Sequence, residues 1–229
     1  MRTARPLLST ALLLCALGAA AAEMPGIDWA LDAAIRQIDR QANDFDTAMA
    51  RIEVVTRDEA GTVLETASGD AFFRENGDLR IRPDDGERTI LLDGTTLHDW
   101  DRNAQRVTSF SLSRGAVRPE PFYRLGFSVN GRDMADRYLL TILGEEDLGG
   151  TRTLLVELTP ERERERKLVS RIRLWIDQAS WMPRRQEFSL TADRTVRTID
   201  YTHVARNLAL NPGLFEASWP RGTERVRGN

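Results

Sequence analysis

Residues 170–190 read "SRIRLWIDQASWMPRRQEFSL", two runs of alternating character on either side of a short break. In the first run Ile172, Leu174 and Ile176 share one phase, and Arg171, Arg173 and Trp175 the other. That period of two is what a β-strand with one buried face imposes. The break carries Trp181, Met182 and Pro183, and a proline without a donor N–H suits the first position of a strand better than its middle. The stretch therefore predicts a hairpin whose apolar face is either packed core or the working surface.

The same period extends outward from the hairpin. Strand runs are expected at 47–57, 62–74, 79–82, 88–93, 95–100 and 106–112, then at 137–143, 151–159, 168–177, 182–191 and 195–204. The breaks, among them "DEAG", "PDDGE", "DRNAQ" and "GEEDLGG", are rich in Asp, Asn and Gly, which supply positive φ or local side-chain bonds. The reading is an antiparallel meander of about eleven strands. Ahead of it, Ile27, Leu31, Ala34, Ile35, Ile38 and Ala42 recur at the spacing of one helical face, with Asp28 placed to cap its start. Residues 113–136 break the rhythm with Pro119, Pro121, Phe122, Tyr123 and Phe127, and predict a helical or irregular flap.

The first residues belong to a different kind of segment. Arg2 and Arg5 precede an apolar run from Leu7 to Leu17 that leads into Ala19-Ala20-Ala21-Ala22-Glu23, the pattern of a cleaved export signal. The expected division is a signal over 1–22 and one binding domain over 23–229, in a periplasmic protein. Cys15 is the sole cysteine and lies inside the signal, so no disulfide or thiolate chemistry is expected after cleavage. Leucines at 12, 13 and 14 suit a lipidation site poorly, so Cys15 reads as an ordinary signal residue. Of 32 basic side chains two fall in the signal, against 35 acidic ones, and a nucleic-acid partner is not expected on that balance.

Residues suited to chemistry are sparse. His98 and His203 are the two histidines, neither in an HExxH pattern, and no serine sits in a GxSxG elbow. Asp84, Asp85, Asp101, Glu145, Glu146 and Asp147 are all assigned to turns, where solvated carboxylates are ordinary. Enzyme activity, metal and cofactor are therefore not expected. The informative feature is the strand at 138–143, where Tyr138, Leu140 and Ile142 share one face while Leu139 and Leu143 occupy the other. Alternation with one solvated face would leave the second set polar, so this strand is expected to be covered on both sides. A curved sheet beneath a helix and a flap satisfies that pattern, with its concave side either filled or open to a fatty chain.

Four stretches carry a resemblance. "LLDGTTLHDWDRNAQRVTSFSL" (91–112), "LGEEDLGGTRTLLVELTPE" (143–161), "RLWIDQASWMPRRQEF" (173–188) and "ARNLALNPGLFEASWPRGTERV" (205–226) resemble, in this order, the periplasmic outer-membrane lipoprotein-sorting proteins of the LolA/LolB-like family. The similarity runs through most of the chain from about Phe45. It implies a mainly β (α+β) fold, a single curved antiparallel sheet forming an incomplete β-barrel, covered by the N-terminal helix and a lid. It further implies a monomeric, non-catalytic carrier of lipoprotein acyl chains, passing between an inner-membrane release complex and an outer-membrane receptor. A carrier of another lipid, or an envelope sensor or assembly module on the same scaffold, is the alternative. Cavity and lid candidates are Phe72, Phe110, Phe122, Tyr123, Phe127, Tyr138, Leu140, Ile142, Ile172, Leu174, Ile176 and Phe188. In the family a strand ends in an Arg-Pro pair whose arginine helps hold the lid; the matching place here reads Arg74-Glu75-Asn76, and Arg82-Pro83 is out of register with it.

Overall fold

The computed structural model describes residues 30–114, 118 and 120–228. The predicted export signal and the Asp28 cap lie outside the described residues. Helix α1 (Leu31–Asn43) leads into six strands, β1 (Thr47–Arg57), β2 (Val63–Arg74), β3 (Leu79–Pro83), β4 (Arg88–Asp93), β5 (Thr96–Asp101) and β6 (Arg106–Ser111). After a connection containing the short helix α2 (Gly131–Ala135) come β7 (Tyr138–Leu148), β8 (Thr151–Pro160), helix α3 (Glu163–Arg166), β9 (Val169–Asp177), β10 (Pro183–Leu190) and β11 (Thr195–Arg206). The last strand is β12 (Glu224–Arg227).

The twelve strands among the described residues form one sheet in the order β12-β6-β5-β4-β3-β2-β1-β11-β10-β9-β8-β7. The two halves of the meander meet where β1 pairs with β11, and the sheet ends at β12 and β7 without closing. The described residues 120–136, with Arg118, lie between the two halves at that open side. Sequence reasoning missed β12, which pairs with β6 in parallel, so the sheet is antiparallel except at that edge. A four-residue strand among arginines leaves too little periodicity to read.

Hairpins follow their turn chemistry. Gly149 and Gly150 both take positive φ (60° and 84°) between Leu148 and Thr151, the mirror-image turn that matches strand twist and that glycine adopts without strain. Glu145, Glu146 and Asp147, expected in a turn, instead extend β7, because a register shift between Ile142 and Gly144 carries the strand onward. α1 begins at Leu31; Ala34, Ile38 and Gln41 are its buried positions, whereas Leu31 is exposed.

Cross-strand register sorts the side chains into two faces. Ala50, Ile52, Ala71, Phe73, Leu79, Leu92, Leu97, Leu158, Ile172, Leu174, Phe188 and Tyr201 belong to one buried cluster on the concave face. The lid residues Phe122, Tyr123, Leu125, Phe127 and Met134 complete that cluster. The convex face is only partly covered. Leu139 and Leu143 on edge strand β7 are 61% and 46% exposed, so the expected cover over both sides of this strand is not there.

Candidate functional site

The site is the concave interior and its lid. Phe127 is fully buried and stacks on Phe73 of β2 with ring centroids 4.0 Å apart, while its edge meets Tyr201 of β11 at 5.0 Å. Tyr123 tilts against Phe188 of β10 at 5.3 Å. Such aromatic pairs contribute roughly 0.5–1.5 kcal/mol each beyond area burial. The space that curvature opens is thus largely filled by the protein's own lid.

Polar bonds hold this plug in register. Gln186 of β10 is fully buried in the apolar phase of its strand. Its Nε2 donates to the lid carbonyls of Leu125 (2.7 Å) and Tyr123 (3.3 Å), and its Oε1 accepts from Tyr201 Oη (2.8 Å). Burial pushes the Tyr201 phenol well above its ordinary value, which keeps it a donor. Arg197 Nη1 donates to Tyr123 Oη at 3.1 Å. From the lid itself, Arg124 donates through Nη1 to Gly77 O (3.0 Å) and through Nε to Pro121 O (3.3 Å). Gly77 has φ +87°, and a Cβ there would overlap the Arg124 guanidinium, so this contact needs glycine twice over. At the far end of the lid, Asp39 of α1 accepts from the Gly131 and Arg132 amides (2.7 and 3.2 Å).

These contacts give the missing Arg-Pro pair a geometric meaning. Arg74 lies on the convex face, bonded to Asp78 and placed 4.7 Å over the Phe215 ring. It does not hold the lid. The grip comes from the opposite partner, an arginine of the lid on a carbonyl of the β2–β3 turn.

A cavity of about 180 Å³ remains between lid and sheet. Ile52, Val54, Ile81, Ile90 and Ile199 form its apolar wall, and Glu65, Arg88, Glu120, Tyr123 and Arg197 bring polar atoms to it. That volume is below the roughly 300 Å³ at which ligand pockets usually begin. Glu120 is 7% exposed; one carboxylate oxygen accepts from Arg118 at 2.9 Å and the other has no hydrogen-bond partner.

The predicted site residues divide into groups. Phe122, Tyr123 and Phe127 are buried in the lid, and Tyr138, Leu140, Ile172, Leu174, Ile176 and Phe188 are buried on the concave strands. Ile142 is half-buried on the same face, and Phe110 is half-buried beneath Arg118, whose guanidinium lies 4.5 Å over its ring. Phe72 is a correction: it alternates with Phe73, lies outside the concave cluster, and is covered on the convex face by Arg82 at 4.6 Å. Of these candidates Tyr123 alone borders the 180 Å³ cavity. Sequence reasoning missed Gln186, Arg124 and Gly77, and for Gln186 a signal existed, since it is the polar residue in phase with Phe188.

Comparison with solved structures places this architecture among known ones. An uncharacterised conserved protein from Thermus thermophilus superposes with a TM-score of 0.55 at 11% identity, covering 85% of this chain and 97% of that one. The two proteins share a fold. Its open sheet and helical lid are the arrangement that the sequence resemblance implies. Also found are a putative outer membrane lipoprotein-sorting protein domain from Vibrio parahaemolyticus (TM-score 0.45, 11% identity, 81% and 95% coverage) and a LolA superfamily protein from Nitrosomonas europaea (0.41, 14%, 80% and 97%). A family described as an uncharacterized protein matches residues 127–208. No curated protein sequence matches the chain. Among the described residues, no helix is long and apolar enough to cross a membrane.

Proposed function

We propose that the protein is a periplasmic carrier that takes lipoprotein acyl chains into its concave interior and ferries them toward the outer membrane. One observation carries this reading: the interior is stoppered by a separate aromatic lid, tied to the sheet by a few polar bonds, over a continuous apolar surface. Displacing Phe122, Tyr123 and Phe127 exchanges one set of apolar contacts for another, and each methylene buried in their place contributes about 0.8 kcal/mol. The acyl chain and the lid then compete for the same face, with Leu140, Ile142, Ile172, Leu174, Ile176 and Phe188 as the receiving wall. Export depends on the leader at 1–22, with an inner-membrane release complex upstream and an outer-membrane receptor downstream.

The test is titration of the leaderless protein with a fluorescent fatty-acyl probe. Saturable binding is expected, with faster association in Gly77→Ala, which releases the Arg124 contact without touching the wall. Leu174→Glu should weaken binding, provided circular dichroism shows the variant folded. Absence of binding by both folded wild type and folded Gly77→Ala would sink the reading.

A further inference from the structure

A second cavity, of about 270 Å³, lies where the lid crosses the open side of the sheet. It is lined from one half of the sheet by Thr95 and Ser113 and from the other by Arg137, Arg164 and Glu165, with Arg118 and Arg124 contributed by the lid. Four of its twelve lining residues are arginines. The positive charge is incompletely answered: Arg118 pairs with Glu120 and, at 3.8 Å, with Asp99, and Arg137 pairs with Glu165 at 2.8 Å, but Arg124 meets only carbonyl oxygens. Arg164 makes no ion pair among the described residues.

Hydrogen-bond accounting points the same way. The buried Nε–H groups of Arg118 and Arg137 have no acceptor, and Glu165, itself 7% exposed, leaves Oε2 without a donor. Buried polar groups are usually paired, so these unfilled donors on two of the lining guanidinium groups are available to an acceptor in the cavity. Burial and the neighbouring Arg137 both push Arg124 below the ordinary arginine value, the direction an anion in the cavity would reverse. Leu112, Pro121, Phe122 and Leu168 also line the cavity, so an anion bound here sits beside apolar surface shared with the lid.

We infer that this arginine-lined cavity binds a phosphate group, carried either on a lipid headgroup or free in solution. Guanidinium groups present paired donors that match phosphate oxygens, and Glu165 Oε2 can accept from a hydroxyl beside the phosphate or from a protonated phosphate oxygen. Only the lipid-borne form rests on the carrier reading.

Calorimetric titration of the leaderless protein with inorganic phosphate, a short-chain phosphatidic acid and the uncharged diacylglycerol of the same chains tests it. Phosphatidic acid should bind roughly tenfold or more tightly than diacylglycerol, and Arg164→Glu, exposed and outside the lid contacts, should close the gap. Inorganic phosphate binding as well as the lipid, and lost in Arg164→Glu, supports the site with a free anion as its source. Phosphate binding with no uptake of either lipid leaves this site standing and defeats the carrier reading. The inference is overturned if both lipids bind and do so with equal affinity, if Arg164→Glu leaves phosphate binding unchanged, or if neither phosphate-bearing compound binds.

Discussion

The two faces of the sheet are covered by different means. On the concave face the lid buries Phe122, Tyr123, Leu125 and Phe127 in the main core cluster and is steered by Gln186, Arg197 and Arg124. On the convex face the segment between β11 and β12 lies as a strap: Phe215 sits under Arg74, Trp219 packs against Trp100 (6.2 Å) and His98 (6.0 Å), and Arg80 donates to Leu214 O at 2.7 Å. The strap then joins the sheet as β12, so backbone hydrogen bonds continue from sheet to cover. Among the described residues no strand of the lid pairs with the sheet, and beyond the Leu112 amide on Thr95 O its hydrogen bonds to the sheet run through side chains. Side-chain attachment can be exchanged for a ligand without breaking the ladder, whereas the buried convex-face residues Phe72, Leu91 and Val107 lie outside the main core cluster. The lid is the replaceable cover and the strap the fixed one.

That contrast can be broken most severely at Phe127. Phe127→Ala empties a fully buried position and should cost about 3–5 kcal/mol in chemical denaturation; a loss below about 1 kcal/mol would mean that the lid does not depend on this ring. Gln186→Leu comes next, leaving Tyr201 Oη and two lid carbonyls without their partner at about 1–3 kcal/mol. Hydrogen exchange should then quicken across 120–135 while 212–227 keeps its protection. Uniform quickening would show that the two covers act as one unit. On the strap, Trp219→Ala removes the stack on Trp100 and should cost about 0.5–1.5 kcal/mol beyond the lost area. Acyl-probe binding should stay at the wild-type level, and a clear loss would transfer function to the convex face.

Much of this organisation is legible in the sequence. The period of two placed eleven strands within a few residues, except that β7 runs on past Leu143, because each has one face in an apolar core and its turns carry Asp, Asn or Gly. The flap was readable from Pro121 and its aromatics. What alternation cannot tell is which of two faces is concave, and Phe72 was misassigned for that reason, since its neighbour Phe73 is equally apolar. Leu139 and Leu143 misled because β7 is an edge strand, where apolar side chains on the outer face can remain exposed. The lid contacts were not readable, because Gly77 and Arg124 are distant in sequence and meet only through the fold.

The smallest effect at neutral pH, and the one that joins the two covers, belongs to Asp78. This buried carboxylate accepts from Arg74, from Asn76 Nδ2 (2.9 Å) and from the Gly94 amide (2.9 Å). It therefore shapes the turn whose Gly77 carbonyl takes the lid arginine, while fixing the Arg74 side chain that covers Phe215 of the strap. Burial pushes its carboxyl up, but the hydrogen bonds from Arg74, Gly94 and Asn76 outweigh burial and hold it below the ordinary carboxylate value. A depressed folded-state pKa contributes stability that is fully present above the unfolded value, near about 3.9, and is lost as pH falls through the folded value. Unchanged stability from neutrality down to that region, followed by loss on further acidification, is thus expected for the wild type. Asp78→Asn should lower stability at neutral pH and flatten the acid limb. With the turn loosened, exchange should rise in both lid and strap, unlike the lid-only response to Gln186→Leu. An acid limb as steep in Asp78→Asn as in the wild type would assign the acid sensitivity to other carboxylates and leave the two covers independent.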